Sequence, residues 1–190
     1  MSTYTLFAGV NGAGKTSIYK SIYYKKNKNE LRINTDEMVA RIGSWKDSNL
    51  QIKCAREAVK LIKYYILNKM SFNQETTLCG KSILNNIIYA KRNGFYIKLN
   101  YVLVSSPEIA KERVALRIKE GGHGIPNSII ERRYYESLKN LKNIIKICDE
   151  TKIYDNTNSF KGIGFFEYGN LSWKDQDIPN VLKETLKDYM

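Results

Sequence analysis

Gly9-Val10-Asn11-Gly12-Ala13-Gly14-Lys15-Thr16 is the stretch on which the reading of this 190-residue chain turns. It matches G-x-x-x-x-G-K-[ST] in full. Glycines at this spacing let consecutive backbone N–H groups turn inward around phosphate oxygens, and a following helix adds the positive end of its dipole. Lys15 is placed to reach the β- and γ-phosphates of ATP, and the Thr16 hydroxyl to hold Mg2+. The expected nucleotide-binding residues are therefore Gly9, Asn11, Gly12, Ala13, Gly14, Lys15, Thr16 and Ser17.

Outward from the loop, strands and helices alternate. Thr3–Ala8 reads as a strand, Lys15 to about Lys26 as a helix and Leu31–Ile33 as a short strand. Thr35-Asp36-Glu37 opens a helix with acids in its first turn. Ile52, Ala55, Val59, Ile62 and Ile66 recur at helical spacing. A strand is expected over Ser71–Thr77 and a helix over Lys81–Arg92, closed by Asn93-Gly94. Tyr96–Val104 carries the strongest strand signal, and Ser106-Pro107 opens another helix.

After the flexible break Gly121-Gly122-His123-Gly124, Ser128-x-x-Glu131 resembles a capping box before the stripe Ile130, Tyr134, Leu138, Leu141, Ile145 and Cys148. Lys152–Asp155 is the last core strand, followed by a hairpin-like tail at Gly162–Tyr168 and a helix near Val181–Tyr189. The expected fold is an α/β P-loop NTPase of the nucleoside-kinase type. Its mostly parallel sheet of about five strands carries helices on both faces. Residues 1–190 form one domain in this reading, with a lid over about 107–133 and a C-terminal hairpin and helix over about 160–190.

Composition narrows the partners. Hydrophobic residues make up 43% and charged residues 26%, as in ordinary globular chains. No apolar run approaches a membrane span and no basic leader opens the chain, so a cytoplasmic protein is expected. Cys54, Cys79 and Cys148 are scattered, which argues against disulfides or a metal cluster. The net charge is +12, yet only eight of the 31 basic residues are Arg. Four of those eight, Arg113, Arg117, Arg132 and Arg133, fall within 113–133. Lysines are spread, and no aromatic residues interleave the Arg cluster as a nucleic-acid stacking platform requires. The cluster therefore reads as a phosphate-handling group rather than a nucleic-acid surface.

The remaining polar residues suit phosphoryl transfer. A Walker B acid is missing from the end of Tyr96–Val104, which runs into Ser105-Ser106, whereas Asp36 and Glu75 lie at other strand ends. Asp36 is the expected base for a substrate hydroxyl, with a helix cap as its alternative. Glu75 and Thr77 are expected to hydrogen-bond the substrate. Arg113 and Arg117, four apart on one helix, would repel mildly unless an anion joins them. Arg117 and Arg133 are expected to stabilise the transferring phosphoryl group, Arg113 the nucleotide, and His123 to touch phosphate or substrate. A nucleotide-dependent switch, or a kinase of an antibiotic or a polynucleotide end, stands as the alternative.

The combination of the phosphate loop with Ile33-Asn-Thr-Asp-Glu, Glu75-Thr-Thr-Leu, Arg113-Val-Ala-Leu-Arg, Gly-Gly-His-Gly-Ile-Pro, Arg132-Arg-Tyr and Tyr154-Asp-Asn resembles the short zeta-toxin-like P-loop kinases. The likeness runs over about residues 3–156. It implies an ATP- and Mg2+-dependent kinase of UDP-N-acetyl amino sugars, restrained by an antitoxin protein. It also implies Lys15 on phosphate, Asp36 as base, Glu75 and Thr77 on the substrate, and lid arginines on phosphates. Longer zeta toxins carry an Arg three residues before the lid proline, where this chain has His123.

Overall fold

The computed structural model describes residues 1–24, 30–45 and 47–189. β1 (Thr3–Ala8) is buried from Tyr4 to Ala8, as a strand covered on both faces must be. It lies between β3 (Phe72–Thr76) and β4 (Tyr96–Leu103), parallel to both. β2 (Leu31–Ile33) pairs with β3, and β5 (Glu150–Asp155) with β4, again parallel. β6 (Lys161–Glu167) and β7 (Asn170–Lys174) continue the sheet antiparallel. The order is β2-β3-β1-β4-β5-β6-β7. The parallel set is the five strands expected from the sequence. The tail hairpin joins the same sheet and brings it to seven, turning at Tyr168 and Gly169, where φ is positive at both residues.

Helices α1 (Lys15–Ile18), α2 (Thr35–Ile42), α3 (Ser48–Leu67), α4 (Lys81–Arg92), α5 (Pro107–Lys119), α6 (Asn127–Ile144) and α7 (Asn180–Thr185) surround the sheet. The helix expected from Lys15 to Lys26 keeps α geometry for one turn only. It widens into a π-helix at Tyr19–Tyr23, where both tyrosine rings pack edge-on against Phe7. Lys26 lies outside the described residues.

Two helix starts test the capping expectations. At α5 the Ser106 hydroxyl accepts from the Ile109 N–H with Pro107 in the first turn, as read. At α6 the Ser128–Glu131 box does not form. Pro126 already occupies the cap position, so Ser128 lies inside the helix, and the Glu131 carboxylate accepts instead from Lys111 Nζ at 2.6 Å. Cys54 and Cys148 are buried, Cys79 is half-buried, and all three are free thiols. Among the described residues no helix is long and apolar enough to cross a membrane.

Candidate active site

The parallel register brings the carboxyl ends of β1 and β3 together, pairing Phe7 with Glu75 and Ala8 with Thr76. The phosphate loop begins there. Gly12 has φ +82°, and a Cβ on it would lie 2.6 Å from Ala110 O. Gly14 has φ +101°, and a Cβ would lie 2.4 Å from Asn156 Nδ2. Only glycine fits either place. Asn156, just past β5, donates to Ala13 O at 2.8 Å and braces the loop from outside. Gly9 and Ala13 are buried members of the loop, and the Ala13 N–H donates to Val10 O.

Lys15 is buried and donates to Val10 O at 3.1 Å. Burial pulls its pKa below the ordinary lysine value; Glu75 and Asp36 oppose that shift, whereas Arg117 and Arg133 add to it. Thr16 Oγ1 donates to the Glu75 carboxylate at 2.9 and 3.1 Å. Glu75 also accepts from Arg32 at 2.7 Å and from Asn34 Nδ2 at 3.0 Å. Arg32 and Glu75 are nearly buried, with side chains 12% and 10% exposed, so each charge needs the other. The Arg32 guanidinium lies 3.5 Å over the Tyr19 ring and pairs further with Glu37.

The first turn of α2 answers a question the sequence left open. Its cap is Asn34, whose Oδ1 accepts from the Asp36 and Glu37 N–H groups. The Asp36 carboxylate is not used as a cap, and no hydrogen bond or ion pair holds it among the described residues. It faces the junction of two adjoining cavities of about 630 and 450 Å³. The smaller follows the phosphate loop past Gly12, Gly14, Thr16 and Ser17 to Arg113 and Arg117. The larger is walled by Val39, Thr77, Ile125, Pro126 and Ile129. Lys15, Glu75 and His123 border both.

The four arginines of the 113–133 cluster separate by contact. Arg133 donates to Asn11 Oδ1 at 3.0 Å, tying α6 to the phosphate loop. Arg132 is largely exposed on the rim and reaches Glu136. Arg113 donates to Thr157 O. Arg117 donates to His123 O at 2.6 Å, while its buried Nε has no partner among the described residues. The imidazole of His123 stacks on Trp45, and burial lowers its pKa. Thr77 sits on a braced turn: Leu78, buried at φ +60°, gives its carbonyl to Asn140, and Cys79 approaches Arg133 O.

Arg32, Asn34, Trp45 and Asn156 were not singled out from sequence. Asn34 stands immediately before an acidic helix start, which is a readable cap signal. Trp45 is a large aromatic in a polar stretch. Asn156 enters only within the Tyr154-Asp-Asn motif, and its partner Ala13, like the Glu75 partner of Arg32, is distant in the chain.

A phosphate loop opening onto a second cavity, with a carboxylate at the junction, is the arrangement of a phosphotransferase, and this P-loop protein is of that class. The zeta toxin family model matches residues 3–162, and the chain belongs to that family. An uncharacterized protein of Haemophilus influenzae is 32% identical over 128 residues, covering 67% of this chain and 89% of that one. The crystal structure of AvrRxo1-ORF1:-ORF2 with ATP superposes with a TM-score of 0.73 at 15% identity, over 100% of this chain. This chain spans only 63% of that one, less than two thirds of its length. A structure from the PezAT chromosomal toxin–antitoxin system of Streptococcus pneumoniae gives 0.65 at 17% identity, over 99% and 84% of the two chains. At these identities the structural likeness is one of fold.

Proposed function

We propose that the protein, as a single kinase domain, moves the γ-phosphate of ATP onto a hydroxyl of a UDP-N-acetyl amino sugar and serves as the toxin of a toxin–antitoxin pair. The observation that carries the reading is Asp36: a carboxylate left free by the Asn34 cap, at the mouth between phosphate loop and acceptor cavity. There it accepts the proton as the hydroxyl oxygen attacks the γ-phosphorus and the bond to the bridging oxygen breaks, releasing ADP. Lys15 holds the β- and γ-phosphates. Arg117 and Arg133 stabilise charge on the transferring oxygens, and Arg113 steadies the nucleotide.

Thr77 and His123 border the acceptor, and Glu75 joins the phosphate side to it. Thr16 fits Mg2+, since its hydroxyl and the neighbouring Glu75 carboxylate are the hard oxygen donors that ion prefers. Bound there, the ion neutralises phosphate charge. Family membership supports the kinase reading, and the toxin–antitoxin setting of a structural relative supports an antitoxin partner. ATP and nucleotide sugars are cytoplasmic, which puts the activity in the cytoplasm.

The test is ATP turnover with a panel of UDP-sugars, read by product mass, for wild type and Asp36→Asn. One UDP-sugar gaining one phosphate with wild type only is the expected result. A phosphorylated antibiotic or polynucleotide end in place of a sugar overturns the acceptor. ATP hydrolysis unchanged in Asp36→Asn, with no acceptor modified, overturns the kinase reading in favour of a switch.

A further inference from the structure

Two rings border both cavities: that of Trp45, between α2 and α3, and that of His123, between α5 and α6. They stack with centroids 4.0 Å apart and planes 26° from parallel. The contact crosses the cleft from the lid segment to the opposite wall. The backbone carbonyl of each residue is also held. Gln51 Nε2, on α3, donates to Trp45 O at 2.6 Å, and Arg117, on α5, donates to His123 O at 2.6 Å. Two loops far apart in sequence, each pinned by a side chain from a neighbouring helix, thus meet ring to ring at the junction that Asp36 faces.

That junction matters chemically. Without an acceptor, the smallest nucleophile able to reach the γ-phosphate is water. If water attacks the γ-phosphorus, the bond to the bridging oxygen breaks, ADP and inorganic phosphate leave, and the water proton passes to Asp36 or to solvent. A kinase avoids this loss by excluding water from the line of attack until the proper hydroxyl is in place. Stacked ring faces suit that task, because the face of a ring, unlike its edge, offers water few hydrogen-bonding positions.

We propose that the Trp45–His123 stack is an aromatic partition that keeps water from the phosphate compartment, so that Trp45 is a positioning residue deciding between acceptor hydroxyl and water. The proposal rests on the kinase reading and deepens it. Trp45 touches no reacting atom. It acts by holding the His123 ring, and with it the lid loop, across the cleft. A smaller residue at 45 opens the junction without altering the phosphate loop, Asp36 or the arginines.

The experiment measures phosphate release from ATP and Mg2+ by the full chain with no acceptor. Trp45→Ala is expected to release phosphate about tenfold faster than wild type, equal to about 1.4 kcal/mol of barrier, and Trp45→Phe to restore most of the suppression. His123→Ala is measured beside it, so a poorly folded Trp45→Ala does not leave the question open. In parallel, with Trp173→Phe as background, Trp45 is the sole tryptophan, and its emission is expected to change when His123→Ala removes the stacked ring. Release at the wild-type rate in both alanine variants, with ATP binding intact, overturns the partition. Rapid release by wild type itself, with no acceptor present, overturns instead the kinase reading beneath it.

Discussion

Between Gly9 and Thr16 the site is made of backbone; across the cleft, from Trp45 through Thr77 to Arg133, it is made of side chains reaching in from separate elements. On the phosphate side, eight consecutive residues and the start of α1 supply the geometry, with Gly12 set by its close approach to the Ala110 carbonyl and Gly14 by its positive φ. On the acceptor side each group depends on an anchor from another element: Asn140, 62 positions away, for the turn at Leu78, Asn11, 122 positions away, for Arg133, and Gln51 on α3 for Trp45. A backbone cradle recognises any nucleoside triphosphate, whereas an assembled wall can be re-tuned one residue at a time. Damage to one side should therefore appear in ATP binding, and damage to the other in transfer alone.

Asp36→Asn should break the comparison most widely. Transfer is expected to fall by about 10²–10⁴-fold, the usual weight of a general base, with ATP affinity held near wild type. An equal loss of ATP affinity, by calorimetry, would mean that the carboxylate belongs to the phosphate side. Arg117→Leu comes next, with a loss of about 10²–10³-fold in kcat. Its melting temperature should change little, because the hydrogen bond lost to the His123 carbonyl is offset by removal of a buried Nε without a partner. A large drop in melting temperature would show that Arg117 serves packing rather than charge.

The same contrast explains what could be read from sequence. The phosphate loop, the strand before it and the helix after it are local, so spacing alone revealed them. Asp36 was legible as a carboxylate at a strand end. Its release from capping was not argued, because that depends on Asn34 taking the cap. Glu75 is expected from sequence to face the substrate, and it does border both cavities. The parallel register of β1 and β3 also puts it against the Thr16 hydroxyl, with Arg32 reaching it from β2, and neither contact is visible in the sequence. The capping box at Ser128 failed for a local reason, since Pro126 starts α6 two residues early. Trp45 and His123 lie 78 positions apart in the chain, and only the fold stacks them.

A smaller effect sharpens the phosphate side. Asn156→Ala removes the donor to Ala13 O and should cost about 1–2 kcal/mol of stability. The variant should weaken ATP binding several-fold and leave the ratio of transfer to hydrolysis unchanged. A shift in that ratio without a loss of ATP affinity would place the brace on the acceptor side instead.

The finest probe of the acceptor side is the His123 ring itself. It is the only histidine in the chain, so its ring protons give an isolated NMR titration. Burial lowers its pKa below the ordinary 6.5; Asp36 opposes the shift, and Arg117 and Arg133 reinforce it. The measured midpoint should therefore fall below 6.5. The sign for stability follows from proton uptake. The unfolded chain takes the proton more readily, so folding stability declines as pH falls below 6.5 and stops declining once pH passes the folded midpoint. Trp45→Ala, by uncovering the ring, should move the midpoint back toward 6.5 and remove that decline. A wild-type midpoint at or above 6.5 would mean that the Asp36 charge outweighs burial at this ring, leaving the imidazole on the polar side of the cleft rather than in an aromatic wall.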